Sequence, residues 1–219
     1  MRKRRSLAEP GWLAPEVELP PELRNAVIAA IRWAWRIVIA KRSDLATAKE
    51  KVFTHSIQLL LNECVNSRRR APHMRLFETV ERDSEHDSAD GSIEKTPDLV
   101  FRPIEGKGVR QRTYWGLFVE CKIIDSKSKH SPKKYWDNGV RRFELGQYAP
   151  RMAHGLMVAY VRNGKMPHAT LDALMKKSQT TISHVPGKTL DTSVSLHTRD
   201  ILTPRCIDIE LTHLWVSVP

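Results

Sequence analysis

Cysteine is nearly absent from this chain: Cys64, Cys121 and Cys206 are the 3 in 219 residues, too scattered for a zinc-site or disulfide spacing. They read as reduced, packed thiols, and a cytoplasmic setting is the expectation. Long hydrophobic runs are missing too. The longest, Ala26 to Ala40, is broken by Arg32 and Arg36 and falls short of the roughly 20 residues that a membrane-spanning helix needs, so no membrane association is expected. The basic start Met1-Arg2-Lys3-Arg4-Arg5 is followed by Pro10, Gly11, Pro15, Pro20 and Pro21 in place of an apolar segment. That leaves residues 1–20 as a basic, flexible arm. Glycine is thin, with 10 residues and no phosphate-cradling loop, so nucleotide hydrolysis is not supported. Acids are outnumbered, 25 against 36 Lys and Arg, a formal net charge of +11 that points to an acidic partner, nucleic acid first.

What is present is enough for one domain over residues 21–219, since 41% of the chain is hydrophobic. Pro21-Glu22 at the start and basic residues at the end mark a helix over 23–41 with a broad apolar side. That side either covers a sheet or serves a homodimer or partner protein. The spacing of Val52, Ile57, Leu60, Leu61 and Cys64 predicts a second helix over 45–65. A strand over 74–81, an exposed loop over 86–96 and strands over 99–101 and 114–124 come next, with Gly106-Lys107-Gly108 as the turn of a hairpin. Helix-like composition over 135–152 precedes an apolar strand over 154–161, a short helix over 169–177, and strands over 192–197 and 207–218. The pattern predicts a mixed α/β (α+β) domain.

Chemistry concentrates between Pro97 and Lys122. If strands Asp98-Leu99-Val100-Phe101 and Phe118-Val119-Glu120-Cys121-Lys122 pair antiparallel with Asp98 opposite Glu120, the connection centres beside the glycine turn, so the register is self-consistent. Side chains alternate along a strand, so Asp98, Val100, Phe118, Glu120 and Lys122 then share one face, and Leu99, Phe101, Leu117, Val119 and Cys121 share an apolar one. Two carboxylates and an ammonium are costly to bury unless something neutralises the acids. Magnesium does so with one or two protein carboxylates, completing its octahedron with waters and phosphate oxygens. The lysine can then hold or help deprotonate an attacking water and offset charge developing on the phosphorus centre.

Pro97-Asp98 followed on the next strand by Glu120-Cys121-Lys122 resembles the signature of the PD-(D/E)XK nuclease superfamily. The resemblance covers roughly residues 45–161. It implies a restriction-endonuclease-like central mixed sheet flanked by helices, and a magnesium-dependent deoxyribonuclease for which manganese can substitute. It also implies catalytic roles for Asp98, Glu120 and Lys122, with Asp98 and Glu120 as metal ligands and Lys122 as the catalytic base or charge stabiliser. Many members carry a further acid on the first core helix, a place that Glu63 fits, with Glu78 a weaker competitor. Restriction, antiphage defence or other phage and prokaryotic DNA processing are the settings implied.

Beyond the signature, Lys127, Lys129, His130, Lys133, Lys134, Arg141 and Arg142 form a basic run that can grip a DNA or RNA backbone without reading sequence. In the same region Trp136 and Phe143 read as core, while Tyr135 or Tyr148 is placed to meet substrate. His55 and His154 show no spaced partner for zinc, so the histidines read as structural or surface residues. The alternative to a nuclease is a non-catalytic nucleic-acid-binding subunit that keeps the fold as a scaffold.

Overall fold

Pro21 opens helix α1 (Pro21–Lys41), with Glu22 at its positive end and Lys41 at its negative one. A computed structural model describes residues 18–68, 71–82, 96–104, 115–125, 127, 128, 130–164, 166–199 and 208–219. In it, α1 turns Val27, Ala30, Ile31, Ala34, Trp35 and Val38 inward against helix α2 (Glu50–Asn66) and the sheet. The apolar side offered by the sequence as a dimer surface is therefore occupied by the chain's own core. Trp35, Phe53 and Tyr160 join α1, α2 and the sheet through ring contacts of 5.1–5.4 Å. Of the expected arm, residues 1–17 lie outside the described residues. Leu19 is buried, and Glu18 lies 3.0 Å from His154, so the end of that stretch is docked.

The sheet has seven strands: β1 (Phe77–Glu81), β2 (Leu99–Pro103), β3 (Leu117–Ile124), β4 (His154–Val161), β5 (Thr181–Pro186), β6 (Thr192–His197) and β7 (Ile209–Ser217). Their order is β1-β2-β3-β4-β7-β6-β5, with β3, β4 and β7 mutually parallel and the outer pairs antiparallel. This is the mixed α+β class that the sequence pattern predicts. The β2–β3 ladder pairs Leu99 with Val119, Val100 with Phe118 and Phe101 with Leu117. Continued by one residue, that register sets Asp98 against Glu120, as the hairpin arithmetic requires. The turn at Gly106-Lys107-Gly108 lies outside the described residues, as does all of the predicted 86–96 loop except Thr96.

Several boundaries differ from expectation for local reasons. Helix α2 starts at Glu50 and not Leu45, because Thr47 and Ala48 turn back to the Asp44 carbonyl. Pro72–Met74 form a 3-10 turn, so β1 begins at Phe77. The helix predicted over 135–152 instead spans α3 (Pro132–Tyr135), a π turn (Trp136–Val140) and α4 (Arg141–Glu144). It ends where Gly146 and Ala149 take positive φ. Strand β5, rich in polar residues, was not anticipated. Helix α5 (His168–Lys176) matches closely. Among the described residues no helix is long and apolar enough to cross a membrane.

α1 and α2 cover one face of the sheet; the stretch from α3 to α4, with α5, covers the other. Gly155 on β4 makes the second contact close. A Cβ there would meet Phe143 of α4 at 2.7 Å and Leu211 of β7 at 2.8 Å. Gly155→Ala is expected to destabilise the fold by about 1–3 kcal/mol through overpacking, read as a lower midpoint in thermal or urea unfolding.

A buried polar layer ties this face together. The Tyr135 hydroxyl lies 2.7 Å from His213 Nδ1, His213 Nε2 2.7 Å from Ser195 Oγ, and Ser195 Oγ 2.6 Å from His197 Nε2. His197 Nδ1 in turn lies 2.9 Å from Glu144 of α4. Burial, with the neighbouring His197, His184 and His168, pushes the His213 pKa well below the ordinary histidine value. The fold therefore favours neutral His213. Its contribution is complete above the unfolded value of about 6.5 and is lost as pH falls below it. The melting temperature should accordingly drop between about pH 7 and pH 5, and His213→Gln, which keeps hydrogen-bonding groups but cannot titrate, should flatten that drop.

Candidate active site

Strand β3 outruns its neighbour. β2 begins only at Leu99, opposite Val119, while β3 continues to Ile124. Past Val119, the β2-facing edge of β3 has lost its ladder partner, and its N–H groups need other acceptors. Two carboxylates provide them. Asp98, just before β2, accepts from the Cys121 N–H at 2.8 Å, and Glu50, the first residue of α2, accepts from the Ile123 N–H at 2.9 Å.

This edge gathers acids around the Lys122 ammonium. Its Nζ lies 2.6 Å from Glu120 Oε1, 3.1 Å from Glu50 Oε1 and 3.7 Å from Asp98 Oδ2, and donates to the Cys121 carbonyl at 2.8 Å. Arg142 of α4 comes within 3.2 Å of the same Glu120 Oε1. It also donates to the Tyr148 hydroxyl, which donates in turn to the Thr96 carbonyl at 3.0 Å. Arg199, fully buried, donates to the carbonyls of Ala149 and Met152 and so fastens the turn that carries Tyr148.

Glu120 forms the floor, with its side chain 2% exposed; Asp98 and Arg142, at 21% and 29%, form the rim. Burial pushes the Glu120 carboxyl up to about 8; Lys122 pulls against the rise, Asp98 adds to it, and Arg142 opposes it. Burial alone would depress Lys122, but Glu120, Asp98 and Glu50 outweigh it and hold the ammonium above its ordinary value. Lys122 is thus a firmly charged group. Both cations approach Glu120 Oε1, and Oε2 is buried with no hydrogen-bond partner. Such an oxygen is costly to leave bare and attracts a cation.

The donor set tests which ion would fit. Among the described residues no three or more His, Cys, Asp or Glu side chains are grouped to hold a metal. Zinc, which takes three or four protein ligands, does not suit this place. Magnesium or manganese does, because Asp98 and Glu120 suffice when water and phosphate oxygens complete the shell.

The signature residues Asp98, Glu120 and Lys122 are therefore brought together, and Glu63 is not. It is exposed on α2, thirteen residues beyond Glu50, about 20 Å along the helix at 1.5 Å per residue. Glu50 is the acid of α2 that reaches this cluster. The sequence hid it because a helix start at Leu45 made it an ordinary mid-helix acid. Glu78 is exposed on β1, two strands from β3. Of the basic run, Lys127, Lys133 and Lys134 are exposed, His130 and Arg141 are half-buried, and Lys129 lies outside the described residues. Lys133 pairs with Asp137. Arg142 turns inward to the acids. Tyr135 is buried against His213 and cannot meet substrate, and Tyr148 serves Arg142.

A cavity of about 760 Å³ lies between α5 and the β5–β6 hairpin, lined by His168, Asp172, Lys176, His184 and Ser193 among others. There His184 bridges Asp172 at 3.2 Å and Ser193 at 3.1 Å. In strand order β6 and β5 are three and four places from β3, so this hollow is separate from the acidic cluster around Lys122. Compared with models of known families, with curated proteins and with solved structures, the chain gives no match.

Proposed function

We propose that this protein is a metal-dependent nuclease of the PD-(D/E)XK superfamily, with a restriction-endonuclease-like fold, that hydrolyses phosphodiester bonds in DNA. The observation that carries the reading is the bare, buried Oε2 of Glu120 beside Asp98, with the Lys122 ammonium 2.6 Å from the other Glu120 oxygen. Asp98 and Glu120 would hold magnesium or manganese. When bound, the ion supplies Lewis-acid charge and acidifies water. Asp98 keeps its position through the Cys121 N–H, and Glu120 through Lys122 and Arg142.

In the hydrolysis, water oxygen forms a new bond to phosphorus, one P–O ester bond breaks, and the departing oxygen gains a proton. Lys122, surrounded by carboxylates, acts as a charged donor to the phosphoryl oxygens and not as the base. Exposed Lys127, Lys133 and Lys134 add sequence-independent attraction for the backbone, which makes binding salt-sensitive. An intact acidic pair and lysine favour catalysis over the scaffold-only alternative. Restriction or antiphage defence in a prokaryotic or phage setting is the role such an activity suits.

Supercoiled plasmid incubated with the full chain should be nicked or linearised with magnesium or manganese and remain intact with a chelator. Asp98→Ala should lower the rate at least about a hundredfold; cutting that persists in that variant defeats the assignment. The two remaining groups should separate by calorimetry. Lys122→Ala should retain metal affinity within a few-fold while losing rate, whereas Glu120→Gln should weaken metal binding by about tenfold or more. Equal losses of metal affinity would contradict these separate roles.

A further inference from the structure

We infer that Arg142 takes the place of a second metal ion in this site, presenting a phosphate-binding edge to the substrate so that the site works with one divalent ion. The inference rests on the nuclease reading above and concerns how the same site handles charge.

The available oxygens limit the ions. Both Glu50 oxygens are taken, by Lys122 and the Ile123 N–H, Asp98 Oδ2 by the Cys121 N–H, and Glu120 Oε1 by Lys122 and Arg142. Glu120 Oε2 and Asp98 Oδ1 are the oxygens of these three acids that accept no hydrogen bond among the described residues, a donor set that suits one ion. Charge leads to the same count. With Glu120 ionised, the form in which it would bind a cation, three carboxylates face two fixed cations, leaving one negative charge in excess. One divalent ion reverses the sign, and one phosphodiester then brings the site to neutrality. A second ion would leave two uncompensated positive charges beside a nearly buried group, an expensive state in low dielectric.

Arg142 is built for the vacant role. Its Nη1 holds Glu120 and Tyr148, and its guanidinium lies 5.6 Å over the Tyr148 ring. Among the described residues Nε and Nη2 make no hydrogen bond, and the side chain is 29% exposed at the rim. That edge is the fork with which arginine receives two phosphate oxygens. The sequence placed Arg142 on the outer, backbone-gripping surface; its position beside Glu120 makes it part of the reacting centre.

Calcium, which binds oxygen sites like magnesium, titrated calorimetrically into the full chain should show one ion per chain. Arg142→Ala removes a cation that competes for Glu120, so it should bind calcium about three- to tenfold tighter, while duplex DNA binding in calcium becomes about tenfold weaker. Arg142→Lys should restore part of the DNA affinity. Arg142→Gln keeps a hydrogen bond to Tyr148 and should show the same two opposite shifts if the alanine variant folds poorly. A purely structural role would weaken both affinities together, and that result overturns the inference. So do two calcium ions on the unmodified chain, or unchanged DNA affinity in the variants. If the unmodified chain binds no divalent ion, the nuclease reading itself falls, an outcome distinct from a single bound ion with an indifferent Arg142.

Discussion

Backbone hydrogen bonding along the exposed edge of β3 is the constraint around which the rest is arranged. A peptide N–H withdrawn from water must find an acceptor, and β2 ends too early to supply one for Cys121 and Ile123. Asp98 and Glu50 fill these places from two different elements. Two acids at one strand edge then require a cation, and Lys122 meets both, together with Glu120. The site's geometry is therefore tied to the hydrogen bonding of the sheet. Rigid elements of this kind hold reacting groups more precisely than loops do.

The opposite face supplies the other half. Helical residues from Pro132 to Glu144 lie close on β4 because Gly139 and Gly155 leave room for Met157 and Phe143. The π turn within that stretch, a distortion that often accompanies functional sites, comes just before Arg141 and Arg142. Glu144, two residues beyond Arg142, is held by His197 and the buried histidine–serine layer of β6 and β7. Strands at one end of the sheet thus brace a cation at the other. That dependence gives the polar layer a purpose beyond filling space, although Glu144 Oε2 is itself buried without a hydrogen-bond partner.

Glu120 is the element that stability alone does not explain. A carboxylate with a bare oxygen in the interior lowers the stability of the free fold. Any ion that binds the folded chain and not the unfolded one offsets that penalty by linkage. The same tension is common where a protein keeps a reactive group ready for a ligand. Among the described residues, basic side chains such as those of Lys127 and Lys134 stand exposed. They set up a positive surface potential apart from the charges gathered around Lys122.

Strand alternation and one stretch of hairpin arithmetic were enough to determine the β2–β3 register, the apolar and polar faces of β3, and the meeting of Asp98, Glu120 and Lys122. These are local facts, because side-chain direction along a strand has a period of two and the two strands are near in sequence. Long-range packing decided what periodicity could not reach. Glu50 and not Glu63 joins the cluster because the true start of α2 abuts β3, and Arg142 points inward because α4 rests on Gly155. His184, His197 and His213 find partners only when β5, β6 and β7 are side by side, and the apolar side of α1 finds its cover in α2 and the sheet. Each of these depends on where a helix or strand lands against residues distant in the chain, and no short window of sequence encodes that distance.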